Sequence, residues 1–267
     1  MHSTALEHGK RFFDTYFAKM PDARLIEIGA QDVNGTLRSV APAELTYIGT
    51  DTTQGKGVDV VLDDPYHLPF DSETADVVVT SSCFEHSEFF WLVFQEALRV
   101  LKPAGIFYLN APSNGAFHRY PVDCWRFYPD AAHALVAWGK HNGYRPALLE
   151  SYTVRQDEND LWNDFVAVFI KDETHVNAFP NRILSNFSSF ENGWLHGSPD
   201  LLNYEELPED IRRSRDLERS VIDYRARVAF LEQEVANVCK ERDTYRAEIE
   251  TLKQLQNCSY TPPRRST

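Results

Sequence analysis

The sequence predicts an α/β fold: a mostly parallel seven-stranded sheet with helices on both faces, an antiparallel last strand and a long C-terminal helix. Three observations predict it. Short apolar runs of strand length recur through the first two thirds of the 267 residues, helix-period segments separate several of them, and a glycine stands directly after the first buried run.

The chain opens on an amphipathic helix over residues 4–20, where Leu6, Phe12, Phe13, Tyr16, Phe17 and Met20 recur at helical spacing before Pro21. The strand runs follow as RLIEIGA, LTYIGTD, VDVVLD, ADVVVTSS, GIFYLNA, LLESYTV and DFVAVFI. Runs without strict alternation suit strands buried on both faces, as in a parallel sheet. EFFWLVFQEALRVLK is the strongest helical segment, with Pro103 and Gly105 as its stop signal. DAAHALVAWGKHNG is a second, with Asp130 near its start and Gly143 past its end. No helix lies between LLESYTV and DFVAVFI, so that pair reads as an antiparallel excursion closing the sheet. The TTQGKG link between the second and third runs is shorter than a parallel crossover normally takes. Either one run is not a full strand or a helix has shrunk to a loop.

Four regions follow: a domain over 1–172, a linker or packing segment over 173–205, a coiled coil over 206–257 and a disordered tail over 258–267. Phe179, Phe187, Phe190 and Trp194 interrupt the polar 173–205 stretch, so part of it is expected to pack back on the domain. In the tail, Leu217, Val221, Tyr224, Val228, Leu231, Val235, Val238, Arg242, Tyr245, Ile249, Leu252 and Gln256 alternate by four and three. That is a heptad seam, and a helix of this length needs a partner to bury it, a second copy or another protein, the alternative being that it packs back on its own domain.

Composition narrows the function. A formal net charge of −13 disfavours a nucleic-acid binder, which needs a basic face. Four scattered cysteines without a CxxC pair indicate neither a zinc site nor a disulfide framework. The N-terminus lacks the apolar core of a signal peptide and no stretch is apolar enough to span a bilayer, so a cytoplasmic location without a membrane span is expected.

The chemistry concentrates at strand ends. Gly29 lets the backbone turn tightly and approach a ligand, and Glu27 sits where a carboxylate meets a cationic group. Gln31 and Val33 replace the further glycines of GxGxxG, which weakens a pyrophosphate-binding reading. Asp51, at the end of the second run, is placed to accept hydrogen bonds from ribose hydroxyls. After the fifth run, His118 lies in a loop with Arg119, Tyr120, Asp123, Trp125 and Arg126, a mixture of aromatic faces and polar groups suited to a polar acceptor such as a sugar. The alternative is a packed structural loop, with Trp125 and Phe127 filling core. His67, His86, His118 and Asp123 match no familiar ligand spacing, so no metal is expected.

In order, LIEIGAQDVNG, YIGTDTTQGKGVDVVLDDPYHLPF, ADVVVTSSCFEHSEFF, EALRVLKPAGIFYLNAPSNG and HRYPVDCWRFYPD resemble the type 11-like group of class I S-adenosylmethionine (SAM)-dependent methyltransferases, over residues 20–170. The resemblance implies a Rossmann-like fold with SAM as cofactor. Glu27 and Gly29 would then contact its methionine part, Asp51 the ribose and Asp64 the adenine amino group, with Ser81 and Ser82 lining the methyl side. Gln31, where the family has a second glycine, and the short TTQGKG link depart from the pattern. His86 and His118 are the candidate catalytic bases, and Arg119, Tyr120, Asp123, Trp125 and Arg126 the candidate substrate contacts. The activity expected is methylation of a hydroxyl on a small polar or sugar acceptor. Two other readings stand beside it: a SAM-binding scaffold oligomerised by its coiled coil, and an NAD-dependent oxidoreductase using the same Asp51.

Overall fold

The computed structural model describes residues 2–17, 20, 22–156 and 162–259, with side chains up to 256 in the last stretch. It divides into two units, 1–210 and 211–267. Most of the tail expected to be disordered, 260–267, lies outside the described residues.

The first unit is built on one eight-stranded sheet. Its strands are β1 (Arg24–Ile28), β2 (Thr46–Asp51), β3 (Val60–Val61), β4 (Ala75–Ser81), β5 (Leu101–Pro112), β6 (Ala147–Val154), β7 (Asp164–Ile170) and β8 (Phe190–Leu195). They lie in the order β3-β2-β1-β4-β5-β7-β6-β8. β1 to β5 pair parallel, and β7 runs antiparallel between β5 and β6. This is the mostly parallel Rossmann-like sheet that the run pattern predicts, with one strand more than the seven expected. The extra strand, β8, pairs antiparallel with β6 and comes from the 173–205 segment.

Side chains alternate across the sheet with period two, and both faces are covered. Ile26, Phe107, Leu109, Phe165 and Phe169 face α2 (Phe90–Val100) and α3 (Ala131–His141). Leu25, Val77, Val79, Ile106, Tyr108, Val166 and Val168 face the other way, onto α1 (Ser3–Tyr16). There the Phe12 ring stacks on Tyr108 with centroids 4.6 Å apart. A buried carboxylate ties three elements together on this face. Glu150 of β6 accepts the Tyr16 hydroxyl at 2.6 Å and the Ile183 and Leu184 amides at 2.8 and 3.0 Å. Satisfied in this way, it costs far less than an unpaired buried charge.

Two expectations about boundaries change. α2 stops at Val100, because Leu101 is already extended and pairs with Ala75 of β4. The short TTQGKG link resolves in both ways at once. β3 is only two residues long, and the connection from β2 is a loop with no helix. Gly57, at φ +89°, turns that loop, and the Asp59 carboxylate accepts the Gly49 amide at 2.7 Å. Between β1 and β2 the crossover shrinks to one 3-10 turn, Leu37–Ser39. Gly143 ends α3 at φ +85°, as expected, whereas Asp130 makes no side-chain cap bond at its start.

The paired motifs LPF and LRVLK meet in space. Arg99 of α2 donates to the Leu68 and Phe70 carbonyls at 3.0 and 2.8 Å, while Glu96 accepts the Leu68 amide at 2.8 Å. These bonds fix the loop after β3 against α2.

The helix α4 (Glu209–Ser259) belongs to the second unit from Ile211 onward. Its apolar seam residues from Leu217 to Leu252 are 45–73% exposed, as the sequence pattern requires of a helix described without a partner. Among the described residues, no helix is long and apolar enough to cross a membrane.

Candidate active site

Parallel pairing of β2, β1 and β4 brings their carboxyl ends, Asp51, Ile28 and Ser81, to one edge of the sheet. At such an edge the strand exits leave backbone amides and carboxylates pointing at a common crevice. Gly29 leaves β1 at φ +79°, and a Cβ there would stand 2.7 Å from Cys83 Sγ, so only glycine fits. The Gly29 and Ala30 amides both donate to the Thr50 carbonyl, at 2.9 and 3.0 Å. This folds the turn against the end of β2. Asp51 then accepts the Gln31 amide at 3.3 Å through Oδ2 and the Thr53 amide at 3.0 Å through Oδ1. Each oxygen keeps a lone pair for a further donor. Ser82 leaves β4 at φ +50°, a left-handed conformation that a serine adopts only when its surroundings hold it there. Its amide donates to the Asn110 carbonyl at 3.0 Å, and Ser81 is buried with Oγ 3.4 Å from Asn110 Oδ1. Asp64 caps its own turn, accepting the Tyr66 amide at 2.8 Å.

Gln31, where the family pattern has glycine, is not an idle substitution. Its Oε1 accepts the Tyr120 hydroxyl at 2.9 Å, so it links the turn after β1 to the loop after β5. The side chain also packs over Gly55, where a Cβ would meet Gln31 Nε2 at 2.5 Å.

The loop after β5 is held from within. Asp123 receives both guanidinium nitrogens of Arg126, at 2.6 and 2.9 Å, and the His118 amide at 2.7 Å. The Arg126 guanidinium holds the Asp123 carboxyl at about 2, below the usual carboxylate range. Arg126 also donates to the Ala116 and Trp125 carbonyls, both at 2.8 Å. Trp125 packs edge-on against Phe90 and Trp91 and donates to the Ser87 carbonyl at 2.9 Å. Phe127 is buried in the core. Of the residues predicted to meet an acceptor, Arg119 and Tyr120 are exposed, whereas Asp123 and Arg126 satisfy one another.

His86 and His118 are brought together, rings edge-on with centroids 4.9 Å apart. Trp162, to which no sequence signal pointed, packs edge-on against the His118 ring with centroids 5.0 Å apart. Burial lowers the His86 pKa. His67, by contrast, sits with Glu96 at 3.3 Å on the loop before β4. Glu85 was also missed as a site residue. The 3-10 turn Phe84–His86 swings it inward, and burial pushes its carboxyl up to about 8. Sequence adjacency in the EH pair was its only signal.

Glu27 is buried beneath the turn after β1, where it accepts the Tyr47 hydroxyl at 2.8 Å. Burial raises its pKa from 4.5 to about 7, against the opposing effects of Tyr47 and Arg38 and with Asp32 and Asp51 adding to the rise. Glu27 therefore favours the fold most when protonated, below about 4.5, and that contribution is lost as pH rises through about 7. Thermal melts of the wild type and Glu27→Gln should nearly coincide at about pH 5. At about pH 8.5 the variant should melt a few degrees higher. A separation independent of pH would contradict the assignment.

The family model described as a methyltransferase domain matches residues 30–109. No curated protein matches the chain. Solved structures similar to it include the YcgJ protein of Bacillus subtilis, at 13% identity and TM-score 0.47 over 64% of this chain and 100% of that one. The 1,6-didemethyltoxoflavin-N1-methyltransferase of Burkholderia thailandensis, solved with bound 1,6-didemethyltoxoflavin and S-adenosylhomocysteine, is 12% identical, with TM-score 0.49 over 63% and 79%. A putative methyltransferase complexed with the Trm112 activator of Haloferax volcanii is 14% identical, with TM-score 0.45 over 64% and 91%. The strand order and the glycine turn agree with that methyltransferase-domain match, which spans residues 30–109 of the chain.

Proposed function

We propose that this protein methylates a hydroxyl oxygen of a small polar or sugar acceptor, with the cofactor held across the carboxyl edge of β1, β2 and β4. The observation that carries the reading is the His86–His118 pair, set on the segments that follow β4 and β5. The residues fit the cofactor. Gly29 keeps the backbone bare where the methionine part would lie, and Asp51 retains acceptor capacity for two ribose hydroxyls. Asp64 would meet the adenine amino group, Glu27 would sit beneath the methionine end, and Ser81 and Ser82 would border the methyl side.

SAM supplies an electrophilic methyl group on a sulfonium. The protein's contribution is alignment of the acceptor oxygen with it and activation of the hydroxyl, which we assign to His86 and His118. Arg119, Tyr120 and the exposed part of Trp125 offer the acceptor donors and aromatic faces, and the Asp123–Arg126 pair fixes the loop that presents them. A reducing, cytoplasmic setting fits the free thiols of Cys83, Cys124 and Cys239.

The exposed seam of α4 supports a further part of this reading, that two or more copies associate through it. Light scattering of the full chain should give an oligomer, and Val228→Asp with Leu231→Asp should reduce it to a monomer. A monomeric wild type would overturn the association.

Titration calorimetry with SAM, S-adenosylhomocysteine and NAD tests the enzyme itself. SAM and S-adenosylhomocysteine should bind and NAD should not. Asp51→Ala should weaken SAM on the order of 10- to 100-fold, the loss of hydrogen bonds to a charged acceptor. NAD binding without SAM binding would sink the reading. An Asp51→Ala protein that binds SAM as the wild type does would sink the ribose assignment alone.

A further inference from the structure

We propose that Glu85, His86 and His118 form a binding site for one divalent first-row transition-metal ion at the acceptor end of the site. One carboxylate oxygen and one ring nitrogen from each histidine lie within 4.8 Å of one another. The proposal rests on the methyltransferase reading for its purpose but not for its geometry.

The first argument is an unsatisfied buried carboxylate. The Glu85 side chain is 2% exposed, and its Oε2 has no hydrogen-bond partner. Leaving such an oxygen without a donor or cation is costly. The neighbouring guanidinium, Arg126, does not serve it, because it is committed to Asp123 and to the Ala116 and Trp125 carbonyls.

The second argument is the state of the two imidazoles. His86 Nδ1 lies 2.5 Å from the Val122 carbonyl, which only accepts, so Nδ1 carries the proton and Nε2 presents a lone pair. That lone pair lies 3.7 Å from Glu85 Oε1, too far for a direct hydrogen bond. His118 Nδ1 is likewise 3.2 Å from the Ala116 carbonyl and 3.4 Å from Asp123 Oδ2, two acceptors that favour the neutral tautomer with its lone pair on Nε2. Two acceptor nitrogens and a buried carboxyl group converge here, and one divalent cation would satisfy all three at once. A metal about 2.0–2.2 Å from each ligand atom needs only a small inward adjustment of these side chains.

The surroundings also match a metal centre. A histidine ligand ordinarily donates its second nitrogen to a carbonyl or carboxylate, which orients the ring. Here the Val122 and Ala116 carbonyls and Asp123 stand in that position. Two imidazoles and one carboxylate suit Zn²⁺, Mn²⁺, Fe²⁺ or Co²⁺ better than Mg²⁺ or Ca²⁺, which prefer oxygen ligands. With the ion bound, His86 and His118 would activate the acceptor through it and not as bases themselves: three protein ligands leave coordination positions open, and an acceptor hydroxyl bound there would lose its proton to water more readily. The spacing His86 to His118 matches no sequence pattern for a metal, because the two ligand-bearing strand exits meet only in the folded sheet.

Untagged full-length protein stripped with a chelator and titrated with Co²⁺ tests this, by calorimetry and by the visible ligand-field absorption of bound cobalt. One Co²⁺ per chain is expected, with the absorption lost on adding Zn²⁺. Glu85→Gln and His118→Ala should each weaken Co²⁺ by more than about tenfold, the scale on which even outer-shell changes act. S-adenosylhomocysteine affinity of the same samples should be unchanged, which shows the fold and cofactor site intact. No stoichiometric Co²⁺ binding by the wild type, or wild-type affinity in both variants, would overturn the site. Absence of S-adenosylhomocysteine binding in a protein that binds Co²⁺ would instead count against the methyltransferase reading.

Discussion

Two amides that donate to one carbonyl set the geometry from which the rest follows. Gly29 and Ala30 both bond to Thr50, so the turn after β1 folds against the end of β2. That brings the Gln31 amide to the Asp51 carboxylate and aligns it with the crevice. The turn is possible because residue 29 has no Cβ. Cys83, at the exit of β4, occupies the space a side chain would need, and burial pushes its thiol up to about 12, so it packs as an apolar wall. Three strand exits are thus locked by one backbone conformation.

A second constraint shapes the acceptor side. The loop after β5 is long and polar, and the Asp123–Arg126 pair gives it internal rigidity. The carboxylate is buried while the guanidinium stays partly exposed, so the pair keeps a solvated side and avoids much of the cost of a wholly buried ion pair. Tyr120, held by Gln31, connects this rigid loop to the turn after β1. Movement of the one is therefore felt by the other, and the position occupied by Gln31 acquires a physical role that a second glycine would lack.

Much of the sheet was legible because its strands are short apolar runs bounded by turn residues, and their length and β-branched content set them apart from buried helix. Gly29 and Asp51 were legible for a related reason: a strand exit needs a glycine there, and a carboxylate about 20 residues on is placed by the parallel pairing. β8 was not. FENGWL contains glycine, asparagine and glutamate, and it becomes a strand because β6 offers it an edge and Phe190 a place in the core. The start of β5 was hidden by helix-favouring residues whose conformation is decided by pairing with Ala75. On the acceptor loop, sequence gives residue types without partners. Asp123 and Arg126 read as ligands for a substrate yet bind each other, while Glu85 read as a neighbour of His86 yet turns inward.

Hydrogen–deuterium exchange of the full chain with and without S-adenosylhomocysteine tests the central claim most directly, because it reports which backbone amides a ligand covers or orders. The account expects protection of segments 29–35, 50–55, 63–68 and 81–86, with little change in α3 or β8. Protection confined to other parts of the sheet, or none at saturating ligand, would contradict it.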